Sequence, residues 1–160
     1  MKTKRGTSMA FLVLDDRTSR LEVSLFSEAL EQYGGKISKD ALLVVEGEIQ
    51  HDEYIGRMAL RASRILTIDE ARQRFSRVLH LDFSSAPLPE DFNLRLKHVV
   101  ENHRAAHQVT SQECPIVLSY QHAGAVAKIA LGEKWRGQVC ESLLQSLAHS
   151  FGQDRVSLQY

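Results

Sequence analysis

"MKTKRGTSMAFLVLDDRTSRLEVSLF", residues 1–26, decides how the first part of the chain is read. "KTKRG" has the composition of a basic turn, with Gly6 supplying the backbone freedom that a tight connection needs. "MAFLVL" and "LEVSLF" are β-rich runs separated by the polar, turn-forming "DDRTSR". In that polar run Asp15 and Asp16 are adjacent, which suits turn formation and gives poor geometry for joint metal binding. A basic turn leading into a hairpin is a hairpin series entered part-way round. The expectation is therefore that a strand belongs before the turn and that the chain starts one strand late.

Working outward, "SEALEQYGG" predicts a short helix closed by Gly34 and Gly35. "ALLVVEGEIQ" is a strand whose internal Gly47 predicts a bulge or sharp bend. "HDEYIGR" connects it to the strand "MALRASRIL", in which Met58, Leu60 and Ala62 alternate with polar or small partners. Strand, strand, helix, strand, strand over residues 1–66 is most of a small barrel. It is read as an incomplete OB-fold β-barrel lacking its first strand, with the helix one strand earlier than in the common arrangement.

"TIDEARQRF" places Glu70 three residues after Thr67, the capping-box spacing, and predicts a connecting helix over 67–77. The remainder, 78–160, starts with "RVLHLDF", where Leu79, Leu81 and Phe83 alternate with Val78, His80 and Asp82. A helix follows with Phe92, Leu96, Val99 and Val100 at helical spacing, then the strands "CPIVLSYQ" and "GAVAKIAL". A second helix carries Val139, Leu143, Leu144, Leu147 and Phe151 on one stripe, and "RVSLQY" closes as a strand. The class is α+β, and this order, βαββαβ, predicts a split βαβ, ferredoxin-like domain.

The 160 residues carry 20 basic and 20 acidic side chains, yet the charge is segregated. Basic stretches at 1–20 and 54–78 flank an acidic one at 21–53, so the basic side chains either form a patch or neutralise the acidic segment. No apolar run is long enough for a membrane helix and the start is charged, so no membrane association is expected. Cys114 and Cys140 form no CxxC pattern and are expected as reduced thiols in a cytoplasmic protein.

Catalytic motifs are sparse. His98, His103 and His107 fall on one predicted helix, where His103 and His107 at i, i+4 could share a metal. No glutamate follows in the HExxH manner, no phosphate-binding glycine loop or nucleophile elbow occurs, and no metal or other cofactor is expected. A clustered acidic triad, which two-metal nucleotidyl transfer needs, is also missing from the pattern. Binding signals are stronger. Lys2, Lys4 and Arg5 sit on the loop by which OB-folds meet single-stranded nucleic acid, with Arg57 and Arg61 in a neighbouring segment. Phe11 and Phe26 are expected to pack inward, which leaves Tyr54 as the stacking residue.

"TKRG", "LDDRTSRLEVSLFSEALEQY", "VVEGEI", "IDEAR", "KWRG" and the terminal "RVSLQY" together carry a resemblance. In order and spacing they resemble the C-terminal region of the bacterial replicative DNA polymerase III alpha subunit. The resemblance implies an OB-fold that contacts single-stranded DNA and a following domain that binds the clamp-loader tau subunit. It implies a non-catalytic fragment, since the polymerase domains lie upstream. Lys2, Lys4 and Arg5 match the family's basic turn, and Trp135 and Arg136 match the pair before its last helix. Val156, Ser157, Leu158, Gln159 and Tyr160 match a terminal segment similar to a sliding-clamp peptide. Arg155 stands where that peptide prefers glutamine, and a plain edge strand is the alternative. Other readings of the chain are a stand-alone metal-dependent hydrolase or an OB-type RNA-binding module.

Overall fold

The computed structural model describes residues 8–52, 56–106 and 113–160, and the chain divides into two compact units, Met1–Ile68 and Asp69–Tyr160. In the first unit, β1 (Ala10–Asp15) and β2 (Arg20–Leu25) form an antiparallel hairpin that pairs Ala10 with Leu25 and Asp15 with Arg20. The turn is built by its aspartates. Asp16 Oδ1 accepts the Thr18 and Ser19 amides at 2.9 and 2.8 Å and the Thr18 hydroxyl at 2.7 Å. Asp15 Oδ1 accepts the Arg17 amide at 2.8 Å, while Arg17 takes the left-handed φ of 69°. The Thr18 hydroxyl, joined by the two amides, holds the Asp16 carboxyl down to about 2.

After β2 the chain forms α1 (Ser27–Tyr33), which continues into a 3-10 turn at Gly34–Lys36. β3 (Leu43–Asp52) and β4 (Arg57–Thr67) complete a sheet of order β1-β2-β4-β3. β2 and β4 run parallel, with Val23 beside Leu60, and the other pairs are antiparallel. Among the described residues the sheet is open, with β1 and β3 at its edges.

Gly47 makes the bulge. Glu46 opposes Arg64 and Gly47 opposes Ala62, so Ser63 is left over on β4. A Cβ at Gly47 would lie 2.1 Å from the Arg61 carbonyl oxygen, so only glycine lets the two backbones approach this closely. The extra residue shifts the alternation of β4, which lets Leu60, Ala62 and then Ile65 all turn inward. They meet Val23, Leu25 and Tyr33 in one core.

In the second unit, α2 (Ile68–Phe75) leads to β5 (Val78–Phe83), α3 (Phe92–Ala106), β6 (Ile116–His122), β7 (Ala125–Ala130), α4 (Glu141–Phe151) and β8 (Val156–Gln159). The β5–β8 segment has the expected βαββαβ element order. Its strand order is β7-β6-β5-β8, with β5 and β6 parallel neighbours. A split βαβ would insert a strand between those two, so the ferredoxin-like strand order does not hold. The β5–α3–β6 crossover is unsplit, and β8 adds antiparallel to the free side of β5.

The helical stripes pack as their spacing requires. Phe92, Leu96, Val99 and Val100 of α3 and Leu143, Leu147 and Phe151 of α4 are buried with Leu79, Leu81 and Phe83. Phe83, Phe92 and Phe151 meet ring to ring at 5.1 to 5.9 Å between centroids. The start of α4 has no side-chain cap of its own. Asp69 of α2 supplies one instead, accepting the Glu141 amide at 2.9 Å, and Arg72 pairs with both Asp69 and Glu141.

Candidate nucleic-acid interface and partner surface

The outer face of the first sheet is where the sequence expectation and the structure part. Alternation along β1 turns Ala10, Leu12 and Leu14 toward the core and leaves Phe11 55% and Val13 60% exposed. Phe26, which begins the turn into α1, is 39% exposed. Neither phenylalanine packs inward as the sequence suggested. The run "AFLVL" is apolar at every position, so it carries no polar partner to mark its outer side.

The strand register assembles these residues. Phe11 pairs with Ser24, and Ser24 pairs with Arg61, placing an aromatic ring and a guanidinium on neighbouring lines of one face. The Arg61 guanidinium lies 4.7 Å from the Phe26 ring centroid, a cation–π contact worth about 0.5–1 kcal/mol at an exposed site. Arg57 pairs with Glu22 and Arg64 with Glu46, so two cations of the second basic stretch neutralise the acidic one. Among the described residues the sheet therefore presents Phe11, Val13 and the Arg61–Phe26 pair rather than a broad cationic patch. Lys2, Lys4, Arg5 and Tyr54 lie outside the described residues.

The second unit gathers its candidates differently. Trp135 ends a 3-10 turn, Glu133–Trp135, and is partly buried against the core, with the Lys134 ammonium 5.6 Å from its ring centroid. Arg136 pairs with Glu133 at 2.9 Å. Sequence reasoning missed the residue that holds this segment. Arg104, in the last turn of α3, donates to the carbonyls of Lys134 at 3.0 Å and Arg136 at 2.7 Å, and pairs with Glu113 at 3.3 Å. Only its 3.6-residue offset from the buried positions Val100 and Leu96 could have pointed to it.

Val156 and Leu158 are paired in β8 and packed against the core, whereas Tyr160 is 65% exposed. The terminal segment is thus an edge strand, and its exposed aromatic is the part that faces outward. His103 is buried with Nε2 3.5 Å from Cys140 Sγ, while the exposed His98 contacts Asn102. Both line one groove between α3 and α4, and His107 lies outside the described residues. No group of three or more His, Cys, Asp or Glu among the described residues is placed to hold a metal. Both cysteines are free and buried, and burial pushes the Cys114 thiol up. No described helix is long and apolar enough to cross a membrane.

Comparison with known proteins gives the same division. Residues 1–68 match the family of OB-fold nucleic acid binding domains, and residues 95–152 match the DNA polymerase III subunit alpha, C-terminal domain. All 160 residues align with DNA polymerase III subunit alpha of Pseudomonas aeruginosa at 39% identity. The corresponding proteins of Vibrio cholerae and Escherichia coli K12 align over the same length at 35% and 34% identity. The chain spans about 13% of the length of these curated relatives. Joining an OB-fold unit to a polymerase III alpha C-terminal unit, the chain is homologous throughout to the C-terminal region of the bacterial DNA polymerase III subunit alpha.

Proposed function

We propose that this chain is a non-catalytic, DNA- and partner-binding part of a replicative polymerase III alpha subunit, acting in chromosomal replication in the bacterial cytoplasm. Its OB unit holds single-stranded DNA, and its second unit docks the clamp-loader tau subunit. The observation that carries the first half is the outer face of β1, β2 and β4. Phe11 offers a ring for a base to stack on, and Arg61, backed by Phe26, offers a cation for the adjoining phosphate. Lys2, Lys4, Arg5 and Tyr54, with Arg57 once it exchanges Glu22 for a phosphate, supply further cations and an aromatic to the bound strand. Stacking and phosphate contact are both indifferent to base identity, which suits a template strand of any sequence.

The second half rests on two separate places, Trp135 with Arg136 on the turn held by α3 and the exposed Tyr160 after β8, aromatic and guanidinium side chains of the kind that anchor protein interfaces. Val156 and Leu158 hold the strand that carries Tyr160 against β5 and the core. Contact with a sliding clamp through residues 156–160 would have to use the exposed Tyr160 or release β8 from β5. The chain itself performs no nucleotidyl transfer, and primer-extension assay of the purified chain is expected to show none.

The test of the DNA reading is fluorescence anisotropy with a labelled oligothymidine. Phe11→Ala should weaken binding by about 1–3 kcal/mol, the range for one stacked base. Arg61→Ala should weaken it and reduce its salt dependence. Equal affinity in all three proteins would remove the OB face from the account. Stronger binding to the matching RNA than to DNA would favour an RNA-binding module.

A further inference from the structure

Between α3 and the 3-10 turn lies a groove of about 320 Å³ lined by Lys97, Val100, Glu101, Arg104, Lys134 and Trp135. Its lining carries three cations and one carboxylate around an apolar floor of Val100 and the Trp135 ring. Lys97 is 61% exposed and stands 3.8 Å from Glu101, a loose pair that an incoming anion can displace at little cost. The Lys134 ammonium stays beside the Trp135 ring. Arg104 forms the wall. Its NH groups are taken by backbone carbonyls and Glu113, while its buried Nε has no hydrogen-bond partner among the described residues. Glu113 offsets the Arg104 guanidinium and Glu101 offsets Lys97, so the net positive surplus at the groove is the Lys134 ammonium.

We propose that this groove takes an acidic peptide segment carrying one large apolar side chain. The apolar side chain seats on Trp135 and Val100, and flanking carboxylates meet Lys97 and Lys134. The volume fits one such side chain rather than a helix, and the surplus of positive charge selects an acidic sequence over a neutral one. The inference rests on the reading of the second unit as a partner-docking module and names the chemistry of what docks.

Trp135 is the only tryptophan of the chain, so its emission reports on the groove directly. The probe is an acetylated heptapeptide with three glutamates on either side of one central leucine, titrated into the full 160-residue chain. The expected result is a saturable change in tryptophan emission that salt weakens. A lysine-for-glutamate peptide should give none, and an alanine-for-leucine peptide should give less. The double variant Lys97→Ala, Lys134→Ala removes only exposed side chains and should lower affinity by about five- to tenfold, from two surface charge contacts. No saturable change, or equal response to the basic peptide, overturns the inference. So does a larger response to oligothymidine, which would make the groove a nucleic-acid site. Tau binding is measured on the same double variant. If tau binding is intact while the peptide is lost, the partner reading stands and the groove is not its surface. Loss of both supports the inference.

Discussion

Replacing Gly47 by alanine perturbs the point that sets which way β4 faces. The added Cβ would lie 2.1 Å from the Arg61 oxygen, 2.9 Å from its carbonyl carbon and 3.0 Å from Ala62 Cα. Ordinary contact for such atoms is about 3.5 Å or more, so β3 and β4 must separate locally by roughly 1 Å. All three atoms belong to backbone, so no side-chain rotation relieves the clash. Overpacking of this kind costs about 1–3 kcal/mol. Weakening one or two neighbouring ladder hydrogen bonds adds about 0.5–1.5 kcal/mol each. A loss of about 2–4 kcal/mol is therefore expected, a large share of the 5–15 kcal/mol available to a typical domain. Urea unfolding followed by far-ultraviolet circular dichroism reads both units, whereas tryptophan emission reads the second unit alone, through Trp135. The first signal should shift to lower urea and the second should stay where it is. A Gly47→Ala variant within about 0.5 kcal/mol of the parent would refute the close-approach argument.

Other expectations follow from the same structure. Lys2, Lys4 and Arg5 replaced by alanine should lower single-stranded DNA affinity and flatten the salt slope by about 0.7 per lost phosphate contact, read by anisotropy at several salt concentrations. The Asp16 carboxyl is depressed to about 2, so the stability it contributes is present above its unfolded value near 4. That contribution is lost as pH falls through about 2, and an NMR titration should place the Asp16 midpoint there, with Asp16→Ala abolishing the turn's response. Deleting residues 154–160 removes β8, so it should destabilise the second unit as well as weaken tau binding, with DNA binding by the OB unit retained. Tyr160→Ala separates the two effects. It should leave the thermal midpoint unchanged while weakening tau binding in a pull-down, and unchanged tau binding would make the terminus purely structural.

Much of this fold was legible because local signals agreed. In β5 the polar His80 and Asp82 alternate with Leu79, Leu81 and Phe83, so both period and inward face could be read. Gly47 announced its bulge because an isolated glycine inside a β-rich run has few other uses. The faces of β1 were not legible, since five successive apolar residues fit either orientation and only pairing with β2 decides between them. Strand order in the second unit was illegible for a related reason. A βαββαβ element order leaves open whether β6 pairs beside β5 or across an inserted strand. The interactions that organise the second unit are long-range, with Arg104 reaching the carbonyls of residues 133, 134 and 136 and Asp69 capping α4 from another helix. Nothing beside either residue in the sequence announces these contacts.

The most direct measurement of the central claim is an amide NMR titration of the full chain with oligothymidine, at low salt and again at moderate salt. The account predicts shifts concentrated on residues 10–15, 20–26 and 57–61, fading as salt rises and centred on Phe11 and Arg61. Absence of shifts at low salt, or shifts confined to residues 78–160, would contradict it.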